Sequence, residues 1–263
     1  MPDMANERRV VLPIFDHPTP VDLPVLKGKG GLTAVLPAAR KLSQILMKAS
    51  EERAATQGKQ VSCKAECTAC CHQLVPVSVV EAKALAATVK KLPPRDGKEV
   101  RQRFEQVLAK LEEHHLIHQP HDDGPRTTLV SPIDGDSSEN WDALNRKYLA
   151  LDLACPFLVK NRCMVYEERP FVCREYMVTS PKEHCATLSP EVDPLPRPAY
   201  MTRAIAVAAE RMDSIYPSTI PLPLLLEWAD ARAGDLRTDR DLTMTMDVVL
   251  DSIEWNPEEA LPP

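Results

Sequence analysis

The segment Cys63-Lys-Ala-Glu-Cys67-Thr-Ala-Cys70-Cys71 places four thiols within nine residues. Four more follow at wider spacing, Cys155, Cys163, Cys173 and Cys185, after the 83 residues from His72 to Ala154. Short Cys-x2-Cys and Cys-x3-Cys loops let two sulfurs converge on one ion or cluster through a single turn. Ligands this far apart in sequence also staple together the segments that carry them. Free cysteine is a common small core residue, but four in nine positions are hard to reach without a ligand role. Adjacent Cys70 and Cys71 point in different directions in most backbone conformations, so they serve different metal ions or only one of them is a ligand. The reading is a metal site built from two segments, with Cys63, Cys67, Cys70, Cys71, Cys155, Cys163, Cys173 and Cys185 as ligands. Its cofactor is an iron–sulfur cluster such as 4Fe-4S, or zinc, because both accept tetrahedral sulfur.

The rest of the composition narrows the setting. The chain has 263 residues, 44% hydrophobic and 27% charged, enough for one or two domains with a core. Crowded cysteines point to metal or redox chemistry in a reducing compartment before disulfides, and the expected location is cytoplasmic. No apolar run approaches a membrane span, and Met1 to Val10 leads into no secretory signal. The formal net charge is -6, with Lys and Arg interspersed among Asp and Glu, so there is no basic stripe for nucleic acid. Eight glycines are too few for the loops that cradle phosphates, which argues against Walker and Rossmann enzymes.

Outward from the cysteines the pattern is helical. Residues 1–31 carry five prolines and the run Lys27-Gly-Lys-Gly-Gly31, and read as an irregular Pro-rich arm. Leu32, Val35, Leu36, Ala39, Leu42 and Leu46 then recur at the spacing of one helical face, with a stop near Gly58. Ser78 with Glu81 and Asp96 with Glu99 read as capping boxes that open helices over 79–91 and 97–117. Asp136 with Glu139 repeats the device for a fourth helix running to about Asp152. Cys155 to Tyr166 reads as two short strands about a Lys160-Asn161-Arg162 turn. Pro190, Pro194, Pro196 and Pro198 form a linker to helices near 200–215, 221–233 and 239–254. The expected fold is mainly α: a helical, loop-rich, metal-stapled domain over 32–189 with a short β-hairpin, and C-terminal helices over 199–255 that pack on it or dock a protein partner.

Several neighbours bear on the site. A partly buried four-thiolate centre is anionic and needs donors and cations. Arg162, Arg169 and Arg174 lie beside the later cysteines, where a fixed guanidinium could donate to sulfur; of the three, Arg162 is the most apt to be simply exposed. Pro156 and Pro170 stiffen ligand loops and offer no competing N–H. His72 and His184, each next to a cysteine, are candidates for mixed ligation or for support of the ligands. His114, His115, His118 and His121 crowd one helix end, where imidazole complements the helix dipole more often than it binds metal. Trp141, Trp228 and Trp255 read as core.

The ordered set Cys63-x3-Cys67-x2-Cys70-Cys71, Cys155-Pro-Phe-Leu and Cys163-Met-Val-Tyr-Glu-x-Arg169-Pro170-x-x-Cys173-Arg174 resembles the YkgJ-like cysteine-cluster family of zinc- or iron-chelating domains. Flagellin lysine N-methylases carry a similar cluster. The resemblance spans roughly residues 60–185, with a long helical insert between the clusters as the departure. It implies metal chelation and, through the methylases, an alternative activity: S-adenosylmethionine-dependent methylation of lysines on a protein substrate. Two further chemistries fit less well. Radical S-adenosylmethionine enzymes share the first spacing, but they usually carry an aromatic residue where this chain has Ala69 and are built on repeated strand–helix units. A cysteine nucleophile with a histidine base would lose its thiolate to metal first.

Overall fold

The stripe of Leu32, Val35, Leu36, Ala39, Leu42 and Leu46 is the face that the first long helix buries, each residue at 2% exposure or less. The computed structural model describes residues 7–64, 66–117, 124–129 and 138–256. In chain order it has β1 (Glu7–Ile14), β2 (His17–Pro24), β3 (Lys29–Gly30), α1 (Leu32–Thr56), β4 (Pro76–Ser78), α2 (Val79–Lys91), α3 (Pro94–Glu113) and α4 (Ser138–Ala150). There follow β5 (Leu158–Val159), β6 (Arg162–Cys163), α5 (Phe171–Glu175), α6 (Lys182–Thr187), α7 (Met201–Asp213), β7 (Thr219–Pro221), α8 (Leu225–Arg232), β8 (Arg240–Asp241) and α9 (Leu242–Asp251). Every strand pair is antiparallel and two-stranded. The fold is mainly α, as the periodicity predicts.

Local signals explain most of the helix ends. Gly58 takes φ +72 past the end of α1, and the Lys59 N–H returns to the Ala54 carbonyl, closing the helix in the left-handed manner that glycine permits. Ser78 and Glu81 form the expected capping box on α2. The box expected from Asp96 and Glu99 does not form. Proline sits comfortably in a first turn, where an N–H has no partner to lose, so α3 begins earlier, at Pro94 behind an uncapped Pro93. The proposed Asp136–Glu139 cap lies outside the described residues.

The proline-rich start departs from expectation. Residues 7–24, read as irregular, form the β1–β2 hairpin, closed by Phe15 and Asp16 at φ 51 and 61. A two-stranded ribbon has an open edge on each side, where proline costs no ladder hydrogen bond, and Pro13, Pro18, Pro20 and Pro24 all lie within the paired register. Leu12, Ile14, Val21 and Leu23 turn inward.

One hydrophobic core joins this hairpin to α1, α2, α7, α8 and α9, with Trp228 at its centre and Met201, Ile205 and Val249 contributing from the C-terminal helices. A second, smaller core gathers Leu74, Leu111, Leu116, Ile117, Leu144 and Tyr148 around α3 and α4. The later cysteine segments join the main core through Phe157, Val165 and Phe171. Trp255 is half-buried and pairs by its backbone with Ala199. Trp141 is also only half-buried, because it faces a cavity. No helix among the described residues is long and apolar enough to cross a membrane.

Candidate metal centre

Each cysteine is delivered by a short, tightly bonded piece of backbone. Ser62 fixes the approach to Cys63, its N–H donating to the Val178 carbonyl and its hydroxyl to that of Thr179. Cys67 closes a turn onto Lys64, and Cys70 and Cys71 share a single 3-10 turn, Ala69–His72. The Cys155 N–H donates to the Cys71 carbonyl at 2.7 Å, fastening the first cysteine of the second segment to the last of the first. Cys163 lies in β6, opposite Leu158, in a hairpin whose turn, Lys160–Asn161, has φ 49 and 60. That is the primed geometry favoured by two-residue hairpins, and it puts Arg162 in a strand instead of the turn.

Cys173 and Cys185 ride on α5 and α6, two short helices that the periodicity does not reveal. The start of α5 is pinned by Glu81, whose second carboxylate oxygen accepts the Phe171 N–H at 2.7 Å. Its end is pinned by Glu175, which accepts from the Ser43 hydroxyl at 3.0 Å and from the Met201 N–H. A single residue on α2 therefore caps its own helix and holds the turn that carries Cys173. Sequence reasoning finds the cap through its spacing, but the second bond crosses 90 positions and leaves no local signal. α6 is held to the 3-10 turn by Gln73, whose amide donates to the Cys185 carbonyl at 2.7 Å.

All eight thiols are free; Cys185 is buried and the other seven are half-buried. They fall into two electrostatic groups that differ from the two sequence clusters. Cys63 interacts with Cys67 and Cys70, and Cys185 with Cys70, Cys63 and Cys67. Cys155 interacts with Cys163 and Cys70, and Cys173 with Cys155, Cys70 and Cys163. Cys70 belongs to both groups and shares a hydrogen bond with Cys71, which together with burial drives its thiol well above the ordinary range. Burial pushes Cys155 up to about 12 and Cys185 up to about 11, and raises Cys63, Cys163 and Cys173.

Protonated thiols have no reason to close on one another, and among the described residues no three His, Cys, Asp or Glu side chains already converge on a common ion position. A cation that replaces the protons supplies the missing counter-charge. Sulfur donors suit a soft metal, and the Cys155–Cys71 backbone bond brings the two cysteine segments together at the Ala69–His72 turn.

The three arginines beside the later cysteines differ in what they reach. Arg169, not Arg162, acts on thiols of both groups, favouring the ionised forms of Cys63, Cys70 and Cys163. Its buried Nε has no hydrogen-bond partner, and its guanidinium lies 4.1 Å from the centroid of the Tyr166 ring. Arg174 favours ionisation of Cys163, but its guanidinium is committed to the carbonyls of Arg169 and Glu167. Arg162 is exposed.

The histidines beside cysteines face carboxylates: His72 Nδ1 stands 3.2 Å from Asp152, and His184 Nε2 3.4 Å from Glu191. Tyr176, missed in the sequence, hydrogen-bonds with the Cys185 thiol. Of the histidine-rich helix end, His114 caps α3 and His115 takes φ 54, while His118 and His121 lie outside the described residues.

Comparison with curated proteins and with solved structures finds no match for the chain. Residues 62–191, which contain all eight cysteines, match the model of the CxxCxxCC family, described as a putative zinc- or iron-chelating domain.

Proposed function

We propose that Cys63, Cys67, Cys70, Cys71, Cys155, Cys163, Cys173 and Cys185 hold zinc or an iron–sulfur cluster in two adjoining centres. One centre takes Cys63, Cys67 and Cys185, and the other takes Cys155, Cys163 and Cys173. Cys70 and Cys71 supply the remaining sulfurs, one to each side of their shared turn. The observation that carries this reading is that thiols from both segments interact electrostatically through Cys70, while the Cys155 N–H is bonded to Cys71. Four thiolates around either Zn(II) or an oxidised 4Fe-4S cluster leave a net negative charge, which Arg169 is placed to offset. Crowded cysteines that serve as metal ligands accord with a reducing compartment.

Anaerobic purification followed by elemental analysis and an absorption spectrum tests the reading. A brown protein containing iron and sulfide identifies a cluster, and a colourless one containing zinc removes redox chemistry. Protein purified anaerobically from metal-supplemented cells without bound metal would overturn the proposal. Kinship with flagellin lysine N-methylases rests on the motif resemblance alone. Calorimetric titration of metal-replete protein with S-adenosylmethionine tests it, and no heat at millimolar cofactor removes it.

A further inference from the structure

A cavity of about 680 Å³ opens against the thiol groups, with Cys70 and Cys173 in its wall. Small-molecule sites occupy about 300–1,000 Å³ and combine apolar walls with a few placed polar groups. The walls here are supplied by Trp141 from α4, Val172 from α5, and Leu188, Val192 and Pro194 from the segment beyond α6. The proline-rich stretch that reads as a linker therefore forms one side of a chamber.

Arg197, at the end of that stretch, also lines the cavity and is 8% exposed. Its guanidinium lies 4.3 Å from the centroid of the Tyr200 ring and interacts electrostatically with Glu175, but its buried Nε has no hydrogen-bond partner. An unmatched buried N–H is costly unless an incoming oxygen accepts it. Arg146 stands at the rim, exposed and bonded only weakly to the Leu188 carbonyl at 3.4 Å, and Asp142 lies beside it. Arg197 and Arg146 stand against one wall carboxylate, Asp142, which leaves one positive charge for a ligand to match; a single carboxylate neutralises it, whereas a phosphate dianion would leave a negative charge unbalanced.

We propose that this chamber binds a small molecule with an apolar body and one carboxylate. The carboxylate accepts from Arg197, and the body lies across Trp141 toward Cys70 and Cys173. That the bound molecule ends beside a metal rests on the reading above; the binding itself does not.

The test is calorimetric titration of the full metal-replete chain with decanoate and with naphthylacetate, two apolar acids of different shape, with decan-1-ol as the uncharged control. Saturable binding of at least one acid is expected, tenfold or more tighter than decanol. Arg197→Met should weaken acid binding at least tenfold and leave decanol unchanged, and Trp141→Ala should weaken both. Failure of both acids to bind, decanol binding as tightly as the acids, or wild-type affinity in a folded Arg197→Met variant would each overturn the proposal. Elemental analysis of the same samples separates the two readings. Metal-replete protein that ignores the acids sinks the chamber alone, and acid-binding protein that never holds metal sinks the metal centre alone.

Discussion

Cys70 interacts with thiols of both groups, so its loss differs in kind from the loss of any other cysteine. Cys70→Ser is expected to empty the centre it ligates and to weaken the adjoining one, taking bound metal below half the wild-type content, whereas Cys63→Ser spares the second centre; elemental analysis of the two variants side by side decides it. Glu81 carries a different burden. Glu81→Ala leaves the Ser78 cap but strands the buried N–H groups of Ser78 and Phe171, each worth about 1–3 kcal/mol. A loss of about 2–4 kcal/mol in urea denaturation is expected. Burial holds the Glu81 carboxyl above its ordinary value of 4.5, against the pull of Phe171, Ser78 and Arg40. The folded state then binds its proton more tightly than the unfolded chain does. Stability contributed by that proton is full below the unfolded value and is lost as pH rises through the folded one. Glu81→Gln should flatten that decline, which denaturation across the window above pH ~4.5 will show. The cysteines and the Glu81 cap are legible because spacing alone announces them. Arg169 is legible by its place beside the later cysteines, whereas the second bond of Glu81 and the Tyr176 hydroxyl arise from chain contacts that spacing does not encode.

Elements follow the same division between local and distant causes. The apolar face of α1 is readable to the residue, since its period is written in consecutive turns. The β1–β2 hairpin is not: its turn, Phe15–Asp16, lacks the glycine that marks such turns, and its prolines suggest a break where an edge strand tolerates them. α5 and α6, at five and six residues, are too short for a periodic signal, yet they carry Cys173 and Cys185. One clamp between elements was equally silent. Arg126 forks onto Glu227 of α8, with Nε 2.9 Å and Nη2 2.8 Å from Oε2, and its Nη1 reaches Glu112 of α3 at 2.6 Å. Its side chain is 9% exposed. Breaking a buried pair from one side leaves uncompensated charge and costs about 3–5 kcal/mol; the partial exposure of both glutamates places Arg126→Met at the low end, near 3 kcal/mol. Thermal denaturation of that variant, together with Glu227→Gln, tests whether the two losses overlap as partners in one network should.

The whole molecule has two kinds of cohesion, and on the proposed function only one of them depends on metal. The main core draws side chains from Leu12 to Ile253, has no cysteine among its buried members and meets Cys155 and Cys163 only at its edge. Around the thiols, cohesion comes from single backbone bonds and short helices. Structural zinc is worth about 10–16 kcal/mol in small domains, comparable with the whole net stability of a domain. Chelation should therefore loosen the cysteine segments and lower the melting temperature by at least 10 °C, while most of the far-ultraviolet helical signal survives at 25 °C. An unchanged melting curve after verified metal removal would refute a structural role for the metal. The wide reach of the core also bears on biosynthesis. β1 is tied to α9 by the ion pair of Arg8 with Asp247, 239 positions apart, and β3 to β8 by the pairing of Lys29 with Asp241. Ribosomes release about 5–20 residues per second, so the hairpin waits out most of translation before its partner helix emerges. All eight thiols leave the exit tunnel during that wait. On the proposed function, every cysteine is exposed to metal before the core can close, so capture by the nascent chain has time to precede that closure.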